Sequence, residues 1–169
     1  MTVYRNVASL ILAVMLLQAA SGILSVSTPL ALSYMGASSL GVGMVAAVFS
    51  AGFMVGAWFA PDIVRQIGHI RAYSAAAAIY AVGILSMALA FAPVAWGIFR
   101  LFQGAASAVM FTSAESWIAD STPRSKRGGV MGLYQLMLKV ALSCGPLLIV
   151  EHAADVQLEV LGAGRGVGD

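Results

Sequence analysis

Residues 40–60 read LGVGMVAAVFSAGFMVGAWFA, twenty-one consecutive positions without a charged side chain. A helix rises 1.5 Å per residue, so this run matches the roughly 30 Å hydrocarbon core of a bilayer. Four more runs of comparable length and apolarity flank it, at about 7–32, 73–92, 94–119 and 130–150. Strands of a membrane barrel would alternate over about 10 residues, whereas these runs are continuous. Backbone polar groups inside lipid must be satisfied within the segment itself, so the runs are helices. The expected fold is all-α and polytopic, with about five transmembrane helices over residues 1–150.

Composition points the same way. The chain of 169 residues is 60% hydrophobic and 9% charged, against about 45–50% and about 25% in soluble domains. So few charges cannot build a water-facing shell around a core of this size. The net charge of +2 does not indicate a nucleic-acid partner, because the basic residues sit in short segments beside apolar spans. Membrane lipid is the expected surrounding. A single cysteine, Cys144, excludes an internal disulfide and any CxxC site.

Orientation follows from the placement of Lys and Arg. Arg5 precedes the first span, Arg65 and Arg71 lie between the second and third, and Arg124, Lys126 and Arg127 lie between the fourth and fifth. The connections at 33–39 and at Pro93 carry no charge. All basic segments thus fall on one side, and the positive-inside rule places the N-terminus in the cytoplasm; the expected location is a cell membrane, of the bacterial inner-membrane type. Arg5, the apolar run to Leu17 and Ala19-Ala20-Ser21 also resemble a secretory signal. The apolar stretch continues well past that point, with polar residues at helical spacing, which favours a retained span. Residues 151–169 switch to mixed polar composition and close on Gly162, Gly164, Gly166 and Gly168. They are expected to form a polar, Gly-rich tail without a sixth span, left by a truncation or a shifted reading frame, or simply disordered.

Polar side chains within spans are costly, and their spacing is informative. Gln18, Ser21, Ser25 and Thr28 recur every three or four residues on the first span, which puts them on one face. Arg100, Gln103 and Ser107 do so on the fourth, with Glu115 on the same broad face. Gln135, Lys139 and Ser143 make a third stripe on the fifth. Hydroxyls and amides at such positions can simply join helices through hydrogen bonds. Arg100 and Lys139 are different, because a Lys or Arg at the middle of a span costs about 2.5–3.5 kcal/mol even on the insertion scale. The alternative of snorkelling to an interface suits Arg100 better than Lys139. The expected arrangement is a wet cavity lined by Gln18, Ser21, Ser25, Arg100, Gln103, Gln135 and Lys139, with the third span, apolar but for Ser74, Tyr80 and Ser86, facing lipid. Glu115 is expected either to pair with Arg65, Arg71 or Arg127 or to serve as a protonatable coupling group. Gly52 and Gly56, a GxxxG pair, permit close helix approach.

No enzyme constellation is present: the sequence holds neither GxSxG nor HExxH, and His69 and His152 have no partner at metal-ligand spacing. No metal, cofactor or catalytic residue is expected.

Arg100-Leu101-Phe102-Gln103-Gly104, followed by small residues to Ala108, resembles the RxxQG signature on the fourth helix of the major facilitator superfamily. The connection after the second span is where that superfamily carries GxxxD(R/K)xG(R/K)(R/K). Here Gly68 fits the second glycine, but Pro61 replaces the first, Arg65 stands at the acidic position, and His69 and Ile70 take basic positions. Asp62 lies three residues early and Arg71 one residue late. Glu115-Ser116-Trp117 resembles a run from a bacterial branch, and Gly145-Pro146 resembles part of the antiporter motif without its flanking glycines.

The resemblance spans about Val7 to Val150 and implies helices 1–5 of a twelve-helix transporter. It implies further that helices 1, 2, 4 and 5 line the cavity and that helix 3 is peripheral. It adds Asp62, Arg65 and Arg71 to Glu115 as gate or coupling candidates. It implies secondary transport of a small organic solute or drug, with a missing C-terminal half or an oligomeric partner to complete the path. The alternative is a small structural or regulatory membrane protein whose polar stripes serve helix contacts.

Overall fold

The computed structural model describes residues 2–90 and 92–165, with side chains described for 11–90, 92 and 94–147. It contains five helices: α1 (Thr2–Tyr34), α2 (Ser39–Ile67), α3 (His69–Leu89), α4 (Pro93–Ser121) and α5 (Arg127–Arg165). Each contains a stretch long and apolar enough to cross a bilayer, and no strand occurs among the described residues. The helices alternate in direction, so the α2–α3 and α4–α5 turns share one end, rich in Arg and Lys. The α1–α2 and α3–α4 turns share the uncharged end.

Two boundaries extend beyond the sequence expectation. α2 continues through Pro61 to Ile67, where the apolar count stops at Ala60. Proline removes one amide donor, which a lipid-embedded helix tolerates when its neighbours hold it in place. The turn comes at Gly68, whose positive φ of 83° suits glycine. α5 runs to Arg165, where a polar tail is expected. Residues 151–161 are rich in Ala, Val, Leu, Glu and Gln and hold no proline, so nothing local stops the helix at 150. Residues 166–169, with the last two glycines of the tail, lie outside the described residues.

Glycine sets the closest helix contacts. The closest partnerships are α2 with α4, α3 with α4, and α1 with α5. A Cβ at Gly52 or Gly56 would run into the α4 backbone at Leu101 and Ala105, and one at Gly104 would strike the α2 backbone at Phe49 and Phe53. Backbone meets backbone here, which only glycine allows. The same device joins α1 to α5: Gly22 abuts Leu142 and the Pro146 ring, and Gly145 abuts Ala19, Gly22 and Ile23. Three apolar clusters fill the remaining interior. One, around Ala60, Ala76, Val109 and Met110, joins α2, α3 and α4. A second, around Val14, Ile118, Tyr134 and Leu138, joins α1, α4 and α5. A third, of Leu32, Val45, Met87 and Trp96, closes the uncharged end.

The third helix keeps one apolar face exposed, as a lipid-facing helix would, and packs the other inward. It buries a stripe of Ala72, Ala76, Tyr80, Gly83 and Met87, while Ile79, Val82, Leu85 and Leu89 stay exposed on the opposite side. Short side chains every three or four residues let α3 lie close along α4. A hydropathy reading sees an apolar helix throughout and cannot tell these two faces apart.

Candidate functional site

A cavity of about 400 Å³ opens between α1, α2 and α4, within the size range of small-molecule sites. Gln18, Ser21, Ser25 and Thr28 of α1 form one wall, and Phe49, Ser50 and Phe53 of α2 form another. Arg100 and Ser107 come from α4, Tyr80 from α3 and Leu142 from α5. The α1 residues reach the cavity together because spacings of three and four keep them on one helical face.

Arg100 is 8% exposed. Its Nη2 donates to the Leu24 carbonyl oxygen at 3.0 Å and to the Thr28 hydroxyl, both on α1. Its guanidinium carbon lies 5.4 Å from the centre of the Phe49 ring, a distance at which the π face attracts a cation. The charge is therefore held by a backbone carbonyl, a hydroxyl and an aromatic face from two different helices. Across the cavity the Ser21 and Tyr80 hydroxyls are hydrogen-bonded at 2.9 Å. Tyr80 is a lining residue that periodicity misses, since Ser74, Tyr80 and Ser86 form no stripe at helical spacing on α3.

The three marked residues of the RxxQG stretch serve three neighbours. Arg100 faces the cavity, Gly104 receives the α2 backbone, and Gln103 turns to α3. Gln103 is 0% exposed and does not line the cavity. Its amide nitrogen reaches the Met87 sulfur at 3.6 Å, and a Cβ at Gly83 would lie 2.8 Å from its Cγ. Its Oε1 is buried without a partner among the described residues. A profile of the Major Facilitator Superfamily matches residues 10–150.

The chain belongs to the major facilitator superfamily.

Similar proteins include the MFS-type transporter YcaD of Salmonella arizonae, 28% identical over 155 residues. The YcaD proteins of Escherichia fergusonii and Salmonella typhi are each 27% identical over 157 residues. In each case the alignment covers 92% of this chain and 41% of the relative. The chain thus spans about two fifths of the length of the curated relatives it matches.

Other residues of this major facilitator chain lie away from the cavity. Gln135 is exposed on α5 and donates to Glu115 Oε1 at 3.0 Å, and Lys139 is exposed on the same helix. The fifth-span stripe therefore stands outside the cavity wall, to which α5 contributes Leu142. Seating α5 on α1 through Gly145 turns that stripe outward. Glu115 forms no ion pair with Arg65, Arg71 or Arg127 among the described residues, contrary to that expectation; the Gln135 amide takes the place of the cation. Asp62 pairs with Arg65 at 3.4 Å within α2, both well exposed, and Arg71 is exposed at the same end.

His69 Nε2 lies 3.4 Å from Asp120 Oδ2, a contact between the start of α3 and the end of α4 that residue spacing cannot reveal. Among the described residues no group of three His, Cys, Asp or Glu could hold a metal ion, and His152 lies outside the described side chains. A second cavity of about 400 Å³ lies along α2 and α4 towards the uncharged end. Its wall is apolar throughout, including Gly41, Met44, Val48, Val94, Gly97 and Leu101.

Proposed function

We propose that this chain forms the N-terminal, substrate-facing part of a secondary transporter that moves a small organic solute across the bilayer. The observation that carries this reading is Arg100, a buried guanidinium at a cavity to which all five helices contribute. An ionisable residue within a membrane bundle is expensive and marks substrate or ion pathways. Hydrogen bonds donated to α1 fix its position, and hydroxyls and aromatic rings supply the rest of a ligand-sized wall. Transport in this fold depends on two sets of helices rocking about a midplane site. A second set, from the rest of a longer chain or from an oligomeric partner, completes the path. The Glu115–Gln135 contact and the Asp62, Arg65 and Arg71 group lie at or near the basic end, where they serve gating and coupling. By the positive-inside rule that end faces the cytoplasm of a bacterial inner membrane, and the N-terminus lies there too.

The test replaces the matching segment of the Salmonella arizonae relative with residues 1–150 of this chain. Cells expressing the hybrid are compared, solute by solute, with cells expressing its Arg100→Ala variant at equal membrane abundance. The hybrid should shift the cellular level of at least one small solute, and Arg100→Ala should abolish that shift. Arg100→Lys should restore it poorly, because an ammonium lacks the planar fork of donors. No shift with the hybrid, or the same shift with Arg100→Ala, would sink the reading in favour of a structural or regulatory membrane protein. Reporter fusions test the orientation: Ser125 should read cytoplasmic and Ala37 external.

A further inference from the structure

Among the described side chains, the charge on Arg100 has no counter-charge in its cavity. Of the acidic residues whose side chains are described, Asp62, Glu115 and Asp120, none contributes to the wall. Glu115 stands fifteen residues along α4 from Arg100, about 22 Å at 1.5 Å per residue, and Asp62 and Asp120 lie at the basic end. Arg100 itself is only partly engaged. A guanidinium has five N–H donors, and Nη2 makes both of its hydrogen bonds, to Leu24 and Thr28. Nε and Nη1 have no protein hydrogen-bond partner among the described residues, and Arg100 lines the cavity. The rest of the wall is neutral, with hydroxyls on the α1 side and the Phe49 and Phe53 rings on the α2 side.

We propose that the cavity is built for a small organic monoanion, a carboxylate on an aromatic or aliphatic body. This assignment rests on the transporter reading and names its substrate class. A buried cation with spare donors and no carboxylate among its protein neighbours is completed by a ligand that brings one. One positive charge matches one negative charge, so a monocarboxylate fits better than a phosphate dianion, which would leave excess charge in a poorly hydrated site. The Phe49 and Phe53 rings supply an apolar surface for the body of the ligand, while the Ser21 and Ser25 hydroxyls supply neutral partners near its polar end. A cationic solute would meet repulsion from Arg100 with no carboxylate to offset it.

The experiment uses the 169-residue chain in nanodiscs of phosphatidylcholine, a lipid without net charge. Equilibrium dialysis measures the binding of naphthoate, its neutral isostere naphthamide and the cation naphthylmethylamine. Naphthoate should bind at least about tenfold more tightly than naphthamide, the equivalent of one charge-assisted hydrogen bond. Arg100→Gln should bring naphthoate down to the naphthamide level. A second variant keeps the arginine: Ser50→Asp places a carboxylate in the same wall and should erase the anion preference by filling the role of the ligand's charge. Equal binding of naphthoate and naphthamide, preference for the amine, or no naphthoate binding at millimolar concentration would each overturn the assignment. An unchanged preference in Arg100→Gln and in Ser50→Asp would overturn it too. Any of these results would leave the transporter reading standing, since that reading falls only with the hybrid transport experiment.

Discussion

At the scale of single residues, Arg100 and Gln103 show how much a spacing can say. Three residues apart, they share a broad face of one helix, and a helical wheel groups them. In the structure the cavity lies on one side of that face and α3 on the other, so one side chain meets the cavity and the other meets Gly83 and Met87. The wheel fixes an angle but does not say which neighbour occupies it, and the same gap turned Gln135 and Lys139 inward on paper. The placement of Gln103 carries a prediction. Its one polar contact is to a thioether sulfur, a weak acceptor, and its carbonyl oxygen is buried unpartnered. Replacing it with methionine, similar in size and flexible, removes a poorly satisfied amide. Gln103→Met should change the unfolding free energy by less than about 1 kcal/mol, in contrast with the about 1–3 kcal/mol expected when a well-bonded buried group loses its partner. Reversible denaturant unfolding in mixed micelles would measure it, and a larger loss would mean that the amide has a stronger partner than Met87.

At the scale of elements, glycine decides which helices meet. Gly52 and Gly56 are legible in the sequence as a close-approach motif, because absence of a side chain is a property of the residue alone. Their partner is not legible; Gly104 is marked in the sequence by its place after Gln103, and the structure shows the physical reason for it. The span lengths are equally legible, since the bilayer thickness fixes them. The ends are not, because a helix such as α2 passes through Pro61 into the interface, where hydropathy no longer counts. Substitution separates the seat glycines from the others. Gly56→Ala puts a methyl into the α4 backbone at Ala105 and should cost about 1–3 kcal/mol, the usual range for overpacking. Gly43→Ala meets nothing within 4 Å and should be neutral, or stabilising by about 0.5–1 kcal/mol through helix propensity. Comparing the two in the same unfolding assay checks the α2–α4 packing, and equal effects would contradict it.

At the scale of the whole molecule, α1 and α5 are partners across the three helices between them, and this has a consequence for how the chain is made. The residue of α5 that receives α1, Gly145, follows Gly22 by 123 positions. Ribosomes add about 5–20 residues per second, so α1 waits about 6–25 s in the membrane before its partner has even been synthesised. During that interval its polar face can turn first to α3, where Tyr80 bonds Ser21, and then to α4, where Arg100 meets Leu24 and Thr28. A photo-crosslinker at Ala19, carried on ribosome-stalled chains of increasing length, would follow the wait. Crosslinks from Ala19 to α5 should appear only in chains long enough to bring Gly145 into the bilayer; shorter chains should yield adducts with lipid or the insertion machinery. The contact that seats α1 thus waits on a helix made only after three others, and α1 stands in the bilayer half-partnered until α5 arrives.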